Sequence, residues 1–301
     1  MRTIPRSRWL VVALAIAALV SLVVLLLQLG SDSTRDDVPG VDRRLSWSPP
    51  RLSDPEVVQV SAQERSLELD PARDYEVRLP PGGLRAAGGL VVAGGRNVVI
   101  MGGEIHVPAA SELDDHVGRG LFLRDQTGTV HVEGLLIDGP GLSEGINLDQ
   151  REGATVQLQN IRIGQIGVPD DDFSDMHPDL LQTWAGPRRL RIDGLTGTTT
   201  YQGFFLLPSQ FGDQPPPEQV SLRNVDIEGR GPAAYLLWRD EDLEVSTENV
   251  WVKPAPGRAE EQLLWPTRVD WPGVELRKPP GGDFVPARSV GIGYESPGYE
   301  R

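Results

Sequence analysis

Residues 121–137 read LFLRDQTGTVHVEGLLI, and the second half of this segment is one copy of a repeated pattern. Each copy has an apolar residue, another two positions later, and a Gly or Asn four positions after the first. The copies begin at Val98, Val130, Val156, Leu190, Val220 and Val245, and their Gly or Asn residues are Gly102, Gly134, Asn160, Gly194, Asn224 and Asn249. Gly and Asn tolerate a left-handed backbone conformation. The pattern therefore predicts a strand, a one-residue corner and a second strand.

A second series of apolar segments lies 8–16 residues upstream of the first. Its members begin at Leu90, Leu121, Ile146, Leu180, Phe204 and Tyr235. One repeat is then three short strands, and the repeats recur every 25–34 residues, a period that indicates a solenoid. Alternation within a strand places Val130 and Val132 inward and His131 at the surface.

These two series together predict an all-β fold. We expect a single-stranded right-handed parallel β-helix of about six to seven rungs with terminal caps. A β-sandwich with evenly spaced strands is the alternative. It requires two-residue hairpin turns between strands, whereas the corners here are single Gly or Asn residues.

The N-terminus has the features of a membrane anchor. Arg2, Arg6 and Arg8 precede an uncharged apolar run of 21 residues, 9–29. At about 1.5 Å per residue, a helix of this length spans a bilayer core of about 30 Å. The positive flank keeps the amino terminus inside, so we expect a single-pass protein of the cell membrane with its bulk extracellular. Secretion after cleavage of this segment is the alternative.

The chain divides by composition into five parts. We expect a cytoplasmic tail at 1–8, the transmembrane signal-anchor at 9–29, an extracytoplasmic linker at 30–65, the β-helix at 66–254 and a C-terminal cap at 255–301. A small interaction module is the alternative for the last part. The formal charge of −14 argues against nucleic acid as a partner. The chain has no Cys, so no disulfide holds the exported part together.

The segment before Leu180 holds the densest group of polar side chains. Four acidic residues could supply oxygen ligands to Ca²⁺, namely Asp170, Asp171, Asp172 and Asp175. Their spacing does not match a helix–loop–helix calcium site, and a solvated acidic loop is the alternative. His177 and Asp179 follow on one face of a strand, where a His beside a carboxylate can act as an acid–base pair. The alternative for this pair is structural: a turn cap and a backbone hydrogen bond.

Neighbouring rungs add polar and aromatic side chains that we expect on the same face. They are Asn147, Asp149, Gln182, Trp184, Gln202, Trp238 and Arg239. Adjacent strands lie about 4.8 Å apart, so such side chains line up along the axis. Amides, carboxylates and aromatic rings on a long surface suit an extended sugar chain. The sequence therefore predicts a polysaccharide or cell-envelope glycan as the partner.

The span from Leu67 to Val252 resembles the pectin-lyase-like superfamily of right-handed parallel β-helix proteins. The resemblance rests on GLVVAGGRNVVIMGG at residues 89–103, on the Asn corners and on the rungs. It implies a membrane-anchored branch of that superfamily, and the Arg, Gly, Ala and Pro usage is typical of an actinobacterium-like, high-GC source. The superfamily includes pectate and alginate lyases, polygalacturonases, epimerases and phage tailspikes, so the fold does not choose the reaction. The Gly-His-Gly and Asn-Thr-Asp motifs of polygalacturonases do not occur in this sequence.

The resemblance implies roles for several of these residues. In a lyase, Ca²⁺ would bridge substrate carboxylates to Asp149, Asp179 or the acidic loop, and His177 or Arg239 would remove the C5 proton. We expect a membrane-tethered protein that binds and cleaves or modifies a polysaccharide, as a lyase or a glycoside hydrolase. A non-enzymatic surface scaffold or adhesion module is the alternative.

Overall fold

Two long sheets of parallel strands make up the described part of the chain. The computed structural model describes residues 44–109, 117–167, 178–211, 214–231 and 235–300. These residues include no α-helix, and no helix among them is long and apolar enough to cross a membrane. The predicted anchor at 9–29 lies outside the described residues.

The strands are two to twelve residues long, and the four longest belong to the larger of the two sheets. In chain order they are β1 (Glu56–Gln59), β2 (Ser66–Leu69), β3 (Tyr75–Arg78), β4 (Leu84–Arg85), β5 (Leu90–Gly94), β6 (Val98–Met101), β7 (Glu104–His106), β8 (Arg119–Arg124), β9 (Thr129–Glu133), β10 (Leu136–Asp138), β11 (Glu144–Asp149), β12 (Thr155–Ile166), β13 (Asp179–Ala185), β14 (Arg189–Thr199), β15 (Gln202–Leu206), β16 (Gln219–Gly229), β17 (Leu237–Arg239), β18 (Val245–Lys253), β19 (Leu264–Trp265) and β20 (Val274–Glu275). Short 3₁₀ helices lie at Glu260–Gln262, Arg268–Asp270 and Ala287–Ser289.

Successive strands alternate between the two sheets from β11 onward, and each pairs with the strand of the next repeat. The larger sheet follows the order β1-β3-β6-β9-β12-β14-β16-β18-β20, with β4, β7 and β10 pairing beside it. The smaller sheet follows the order β19-β17-β15-β13-β11-β8-β5-β2. Every pairing along these two paths is parallel. This all-β, parallel arrangement is compatible with a β-helix.

The first predicted series stands in register in the larger sheet. Its members pair from rung to rung: Val98 with Val130, Val130 with Val156, Val156 with Leu190, and Leu190 with Val220. All five are buried in the core that the two sheets share. Aligned apolar residues in every rung form a continuous stack, and a slip of one residue would turn it toward solvent. The period in the sequence therefore encodes the register.

All six predicted corners have a left-handed backbone, as predicted. Their φ angles lie between 50° and 76° at Gly102, Gly134, Asn160, Gly194, Asn224 and Asn249. In the ladder, Asn224 stands between Gly194 and Asn249. Nδ2 of Asn224 donates to Asp193 Oδ1 at 2.6 Å, and Asn249 Nδ2 donates to Asn224 Oδ1 at 3.1 Å. The Asn corners thus add side-chain hydrogen bonds between rungs that Gly corners lack.

Substitutions at Asn224 test the corner. Asn224→Val should lower the free energy of unfolding more than Asn224→Gly. Both variants lose the amide hydrogen bonds, at about 1 kcal/mol each. Only Val adds left-handed strain, on the order of 1–3 kcal/mol. Urea unfolding followed by tryptophan fluorescence measures both changes. A Val variant as stable as the Gly variant would contradict a corner that depends on positive φ.

Two starting positions of the second predicted series are wrong. Ile146 pairs with Leu181 rather than with Leu180, and the last segment is in register at Leu237, two residues after Tyr235. The residue before Leu181 and the residue before Leu237 are also fully buried, so two consecutive side chains face the core. Strict alternation assumes that every second residue of a strand points inward. It therefore gives the wrong starting residue for a strand in which two consecutive residues point inward.

The end of the chain lies along the outer side of the larger sheet. Strands β19 and β20 first continue the two sheets. Residues 283–300, here called the strap, then run back across earlier rungs. The N–H of Phe284 donates to Asp226 Oδ1 at 2.8 Å, and the N–H of Gly291 donates to the carbonyl of Gly134 at 2.9 Å. This part of the predicted cap therefore covers a side of the sheet.

The strap also changes the environment of His131. The surface position predicted for His131 is wrong, because its side chain is fully buried. Its ring nitrogens lie 2.9 Å from Gln157 Oε1 and 2.9 Å from Glu133 Oε2. Tyr294 and Tyr299 of the strap also donate to the Glu133 carboxylate. Burial alone would raise the pKa of Glu133, but the hydrogen bonds from His131 and the two tyrosines lower it.

Asp226 makes the contact between the strap and the sheet sensitive to pH. Its carboxyl accepts hydrogen bonds from Thr196 Oγ1 at 2.6 Å and from the Phe284 N–H, yet burial raises its pKa to about 6. An unfolded Asp has a pKa of about 3.9, so the folded protein binds the additional proton between these two values. The contribution of this proton to the free energy of unfolding is fully present below a pH of about 3.9. It is lost as the pH rises through about 6, and the total change is about 3 kcal/mol.

Asp226→Asn should therefore be more stable than the wild type at a pH of about 7.5, and the two should converge as the pH falls toward about 4. Urea unfolding across this range gives the difference. Glu228→Gln is the control: burial would raise the pKa of Glu228, but hydrogen bonds from Lys278, Lys253 and Arg230 lower it to about 2. The difference in unfolding free energy between Glu228→Gln and the wild type should stay the same over this pH range. If the difference in unfolding free energy between the wild type and Asp226→Asn does not change with pH, the elevated pKa of Asp226 is contradicted.

Candidate functional site

Three strands of the smaller sheet begin with a polar residue, a Gly and an apolar residue. These triplets are Arg119-Gly120-Leu121, Glu144-Gly145-Ile146 and Gln202-Gly203-Phe204. A Cβ on Gly120 would lie 2.4 Å from the Ile137 side chain, and a Cβ on Gly145 would lie 2.4 Å from the Leu180 carbonyl oxygen. Gly is required because the middle residue faces a crowded interior. Since the apolar residue that follows also faces inward, the polar residue in front of the Gly is left on the outer side.

The polar residues of successive rungs form a column, here called the polar column. Arg119 pairs with Glu144, and Asp179 pairs with Gln202. Glu144 and Asp179 stand on adjacent strands, each two residues before the paired residues Ile146 and Leu181. Parallel strands lie about 4.8 Å apart, so the two carboxyl groups are neighbours.

A second outward column runs beside the first and is mostly aromatic. In register from rung to rung it contains Phe122, Asn147, Gln182, Phe205, Trp238 and Trp265. The rings pack edge to face: the Phe205 and Trp238 centroids are 5.1 Å apart, and those of Phe122 and Trp184 are 5.2 Å apart. Such pairs add stabilisation to that which comes from the apolar area the rings bury. The aromatic side chains of the second column therefore have a defined arrangement.

The two columns enclose a cavity of about 500 Å³, here called the groove. It is lined by Arg119, Glu144, Asp179, Gln182, Trp184, Tyr201, Gln202, Phe205, Gln210, Phe211 and Trp238. The volume lies within the range of small-molecule sites, about 300–1,000 Å³. Apolar walls with a few converging polar groups are the usual composition of such sites.

Glu144 is held in place from two sides. Its Oε2 accepts hydrogen bonds from Arg119 Nε at 2.7 Å and from Asn147 Nδ2 at 2.9 Å. The Arg119 guanidinium also lies 4.7 Å from the centre of the Trp184 ring and 5.3 Å from that of Phe122. A guanidinium that is stacked on rings and paired with a carboxylate has little freedom to rotate. Glu144 is therefore a carboxylate of fixed orientation at the groove wall.

The environment of Asp179 differs from that of Glu144. It is 1% exposed, and among the described residues neither of its carboxyl oxygens has a hydrogen-bond partner. Burial raises the pKa of Asp179 well above its usual range, and the charge of Glu144 raises it further. An unpaired ionised carboxylate is costly in such a place, which favours the protonated form of Asp179. The groove thus contains an acid with a raised pKa next to a carboxyl group of fixed orientation.

The structure brings together five of the predicted site residues and separates two. Asp179, Gln182, Trp184, Gln202 and Trp238 all line the groove. Asn147 lies in the second column and orients Glu144. Asp149 does not line the groove, since it forms an ion pair with Arg151 at 2.8 Å.

Arg239, predicted as a catalytic base, does not line the groove either. It pairs with Leu206, an inward residue, and its Nη1 donates to the carbonyl oxygens of Asp240, Glu241 and Leu243. Its guanidinium holds the turn after β17. His177 and the acidic residues Asp170, Asp171, Asp172 and Asp175 lie outside the described residues. Within the described ranges, no group of three or more metal-ligating side chains is close enough to hold a metal ion.

Sequence reasoning missed Arg119, Glu144 and the flanking rings of Phe122 and Phe211. A signal for the first two is present in the sequence. The polar–Gly–apolar triplet recurs at corresponding positions of three rungs, directly before members of the second series. No comparable signal exists for Phe211, which reaches the groove from the turn after β15 and packs 6.4 Å from the Trp184 ring centre.

Comparison of this chain with family models, curated proteins and solved structures gives no match. The chemistry of the groove therefore rests on its own residues.

The protonation of Asp179 can be measured directly. At neutral pH the wild type should show the infrared carbonyl band of a protonated carboxyl group that Asp179→Asn lacks, whereas Glu144→Gln should retain it. Because the folded pKa of Asp179 is raised, its stabilising effect is lost as the pH rises. The unfolding free energy of the wild type should therefore fall relative to that of Asp179→Asn with increasing pH. If Asp179→Asn and the wild type have the same infrared spectrum, Asp179 is ionised.

Proposed function

We propose that this chain is a membrane-tethered, extracytoplasmic protein that binds a polysaccharide in the groove and hydrolyses its glycosidic bond. The proposal includes the finer fold, a right-handed parallel β-helix of the pectin-lyase-like superfamily. The rung-to-rung register and the left-handed corners support that fold. The anchor at 9–29 and the extracellular location rest on the sequence pattern alone.

The observation that carries the proposal is Asp179. A buried acid without partners costs stability, and proteins retain such groups mainly where a perturbed pKa serves chemistry. Here the acid lies in a groove rather than in the closed core. Its neighbour Glu144 is oriented by Arg119 and Asn147. An acid with a raised pKa beside a second carboxyl group of fixed orientation is the arrangement that glycoside hydrolysis requires.

The reaction assigns one role to each group. Asp179 donates its proton to the glycosidic oxygen as the bond from that oxygen to the anomeric carbon breaks. In the same step a Glu144 oxygen bonds to the anomeric carbon, as in retaining hydrolases, whose two carboxyl groups lie close together. A water oxygen then bonds to that carbon as the bond to Glu144 breaks, and the proton that the water loses returns to the Asp179 carboxylate. The rings of Trp184 and Trp238 offer apolar faces against which sugar rings can stack. A lyase reaction is less favoured, because the guanidinium groups of Arg119 and Arg239 are engaged by protein groups.

A non-enzymatic scaffold or adhesion module is the second candidate. The observation that favours it is the packing of the aromatic residues on one another, since Trp238 contacts the rings of Phe205, Tyr235 and Trp265. Such a cluster could stabilise the fold or dock a partner without any turnover. The two candidates differ in whether Asp179 is needed for a product to form.

A glycan array probed with the full chain, followed by a reducing-end assay on the glycans retained, tests the proposal. Asp179→Asn should abolish product formation while glycan binding persists. Trp184→Ala should weaken binding by about tenfold or more, about 1.4 kcal/mol, through the loss of one ring face. Trp251→Ala is the matched control, because Trp251 lies in the larger sheet and also has an arginine over its ring, Arg277 at 5.1 Å.

Each result decides a separate part of the proposal. If no glycan is retained, the proposed binding is wrong. If glycans are retained but the wild type forms no product, the scaffold is correct. If Asp179→Asn forms product at the wild-type rate, the proton is donated by another group. If Trp251→Ala weakens binding as much as Trp184→Ala, the loss comes from a general change in the fold.

A further inference from the structure

We infer that the groove selects uncharged sugars and discriminates against uronates, so that its substrate is a neutral polysaccharide. The inference rests on the proposed function and adds the class of substrate. It is carried by the charges and side-chain types that line the groove. These can be compared with what a polyuronate and a neutral glycan each require.

A uronate carboxylate is bound most strongly by a cationic partner, and the described residues of the groove offer no cation that is not already paired. Among the described lining residues the only cationic side chain is Arg119. Its Nε is 2.7 Å from Glu144 Oε2, and its guanidinium lies against the Trp184 and Phe122 rings. Binding a uronate through Arg119 would require breaking a nearly buried ion pair, which leaves Glu144 uncompensated. Arg119 therefore stabilises the groove itself.

The carboxylate of Glu144 opposes a uronate. Glu144 and Asp179 stand on adjacent strands and face the same space. A substrate carboxylate placed beside them would meet the like charge of Glu144 in a partly desolvated site, where such repulsion is stronger than in water. It would also compete with Glu144 for the Arg119 guanidinium. Specificity then arises from the repulsion of the wrong ligand as well as attraction of the right one.

The remaining lining has the composition that neutral sugars require. Gln182, Gln202 and Gln210 present amide groups, and each amide both donates and accepts hydrogen bonds, as sugar hydroxyl groups do. Trp184 and Trp238 add apolar faces for the C–H side of a sugar ring. None of these groups gains from a formal charge on the ligand. The groove thus matches a chain of hydroxyl-bearing rings without carboxylates.

Matched oligosaccharides test the inference with the full chain. Each pair differs only in the carboxyl groups: oligogalacturonate and its carboxyl-reduced form, oligomannuronate and its reduced form, and cello-oligouronate and cello-oligosaccharide, all of one length. Dissociation constants are measured by calorimetry at low and at high salt. In at least one pair the neutral form should bind at least tenfold more tightly, and the gap should narrow as salt screens the repulsion.

Charge variants show whether the groove is the cause. Glu144→Gln removes one acid and releases Arg119, so uronate affinity should rise by at least tenfold. Gln182→Lys adds a cation without breaking that ion pair, and it should also raise the affinity for the uronate. Glu76→Gln is the matched control: Glu76 pairs with Arg78 at 2.8 Å on the larger sheet, so it releases an arginine outside the groove. The Glu76→Gln variant should bind the uronate and the neutral oligosaccharide with the same affinities as the wild type.

The possible results separate this inference from the proposed function. If, in every pair that binds, the uronate binds as tightly as its neutral counterpart or more tightly, the inference is overturned and the polysaccharide-binding function stands. If neither form of any pair binds, the proposed function fails and the inference fails with it. A rise in uronate affinity for Glu76→Gln equal to that for Glu144→Gln would assign the discrimination to the net charge of the chain and overturn the role of the groove.

Discussion

The stacking of each rung on the next depends on one backbone constraint, the left-handed corner in the larger sheet. At this corner the chain must turn in a single residue without leaving the ladder, and positive φ makes that turn possible. Gly accepts the conformation without strain. Asn accepts it with a small cost that it offsets by bonding to the next rung, as Asn224 does to Asp193 at 2.6 Å. Because every corner lies over the previous one, the apolar residues on both sides remain in register, and a continuous core follows.

The smaller sheet departs from strict alternation, and the candidate site arises from that departure. Two consecutive inward residues at the start of a strand leave the preceding side chain on the outside, next to the regular outward column. Arg119, Glu144 and Asp179 occupy these positions on successive strands. In a regular strand these three residues would face inward, because each lies two positions before an inward residue. The irregularity instead places a second column beside the first, and a groove forms between them.

The pKa shifts of three buried carboxyl groups follow the balance between burial, which raises the pKa, and hydrogen-bond donors, which lower it. Glu133 is fully buried, but it has donors from His131 and two tyrosines, and its pKa is lowered. Asp226 has two donors, and burial still raises its pKa to about 6. Asp179 is also buried and has no donor among the described residues, and its pKa is raised well above its usual range. Glu133 and Asp226 both accept hydrogen bonds from the strap, whereas Asp179 faces the groove.

The sequence by itself determined the parallel all-β arrangement, the corners and the register of the larger sheet, because each depends on a local rule that repeats in every rung. It also identified Asp179, Gln182, Trp184, Gln202 and Trp238, which the structure brings to one groove. Only the tertiary structure decided the partners. The pairing of Glu144 with Arg119 depends on contacts between strands 25 residues apart, and the burial of His131 depends on a strap from the far end of the chain. Such contacts depend on which side chains meet in space. The recurring triplet marks the positions of Arg119 and Glu144 but not the ion pair between them, and no periodicity marks the strap.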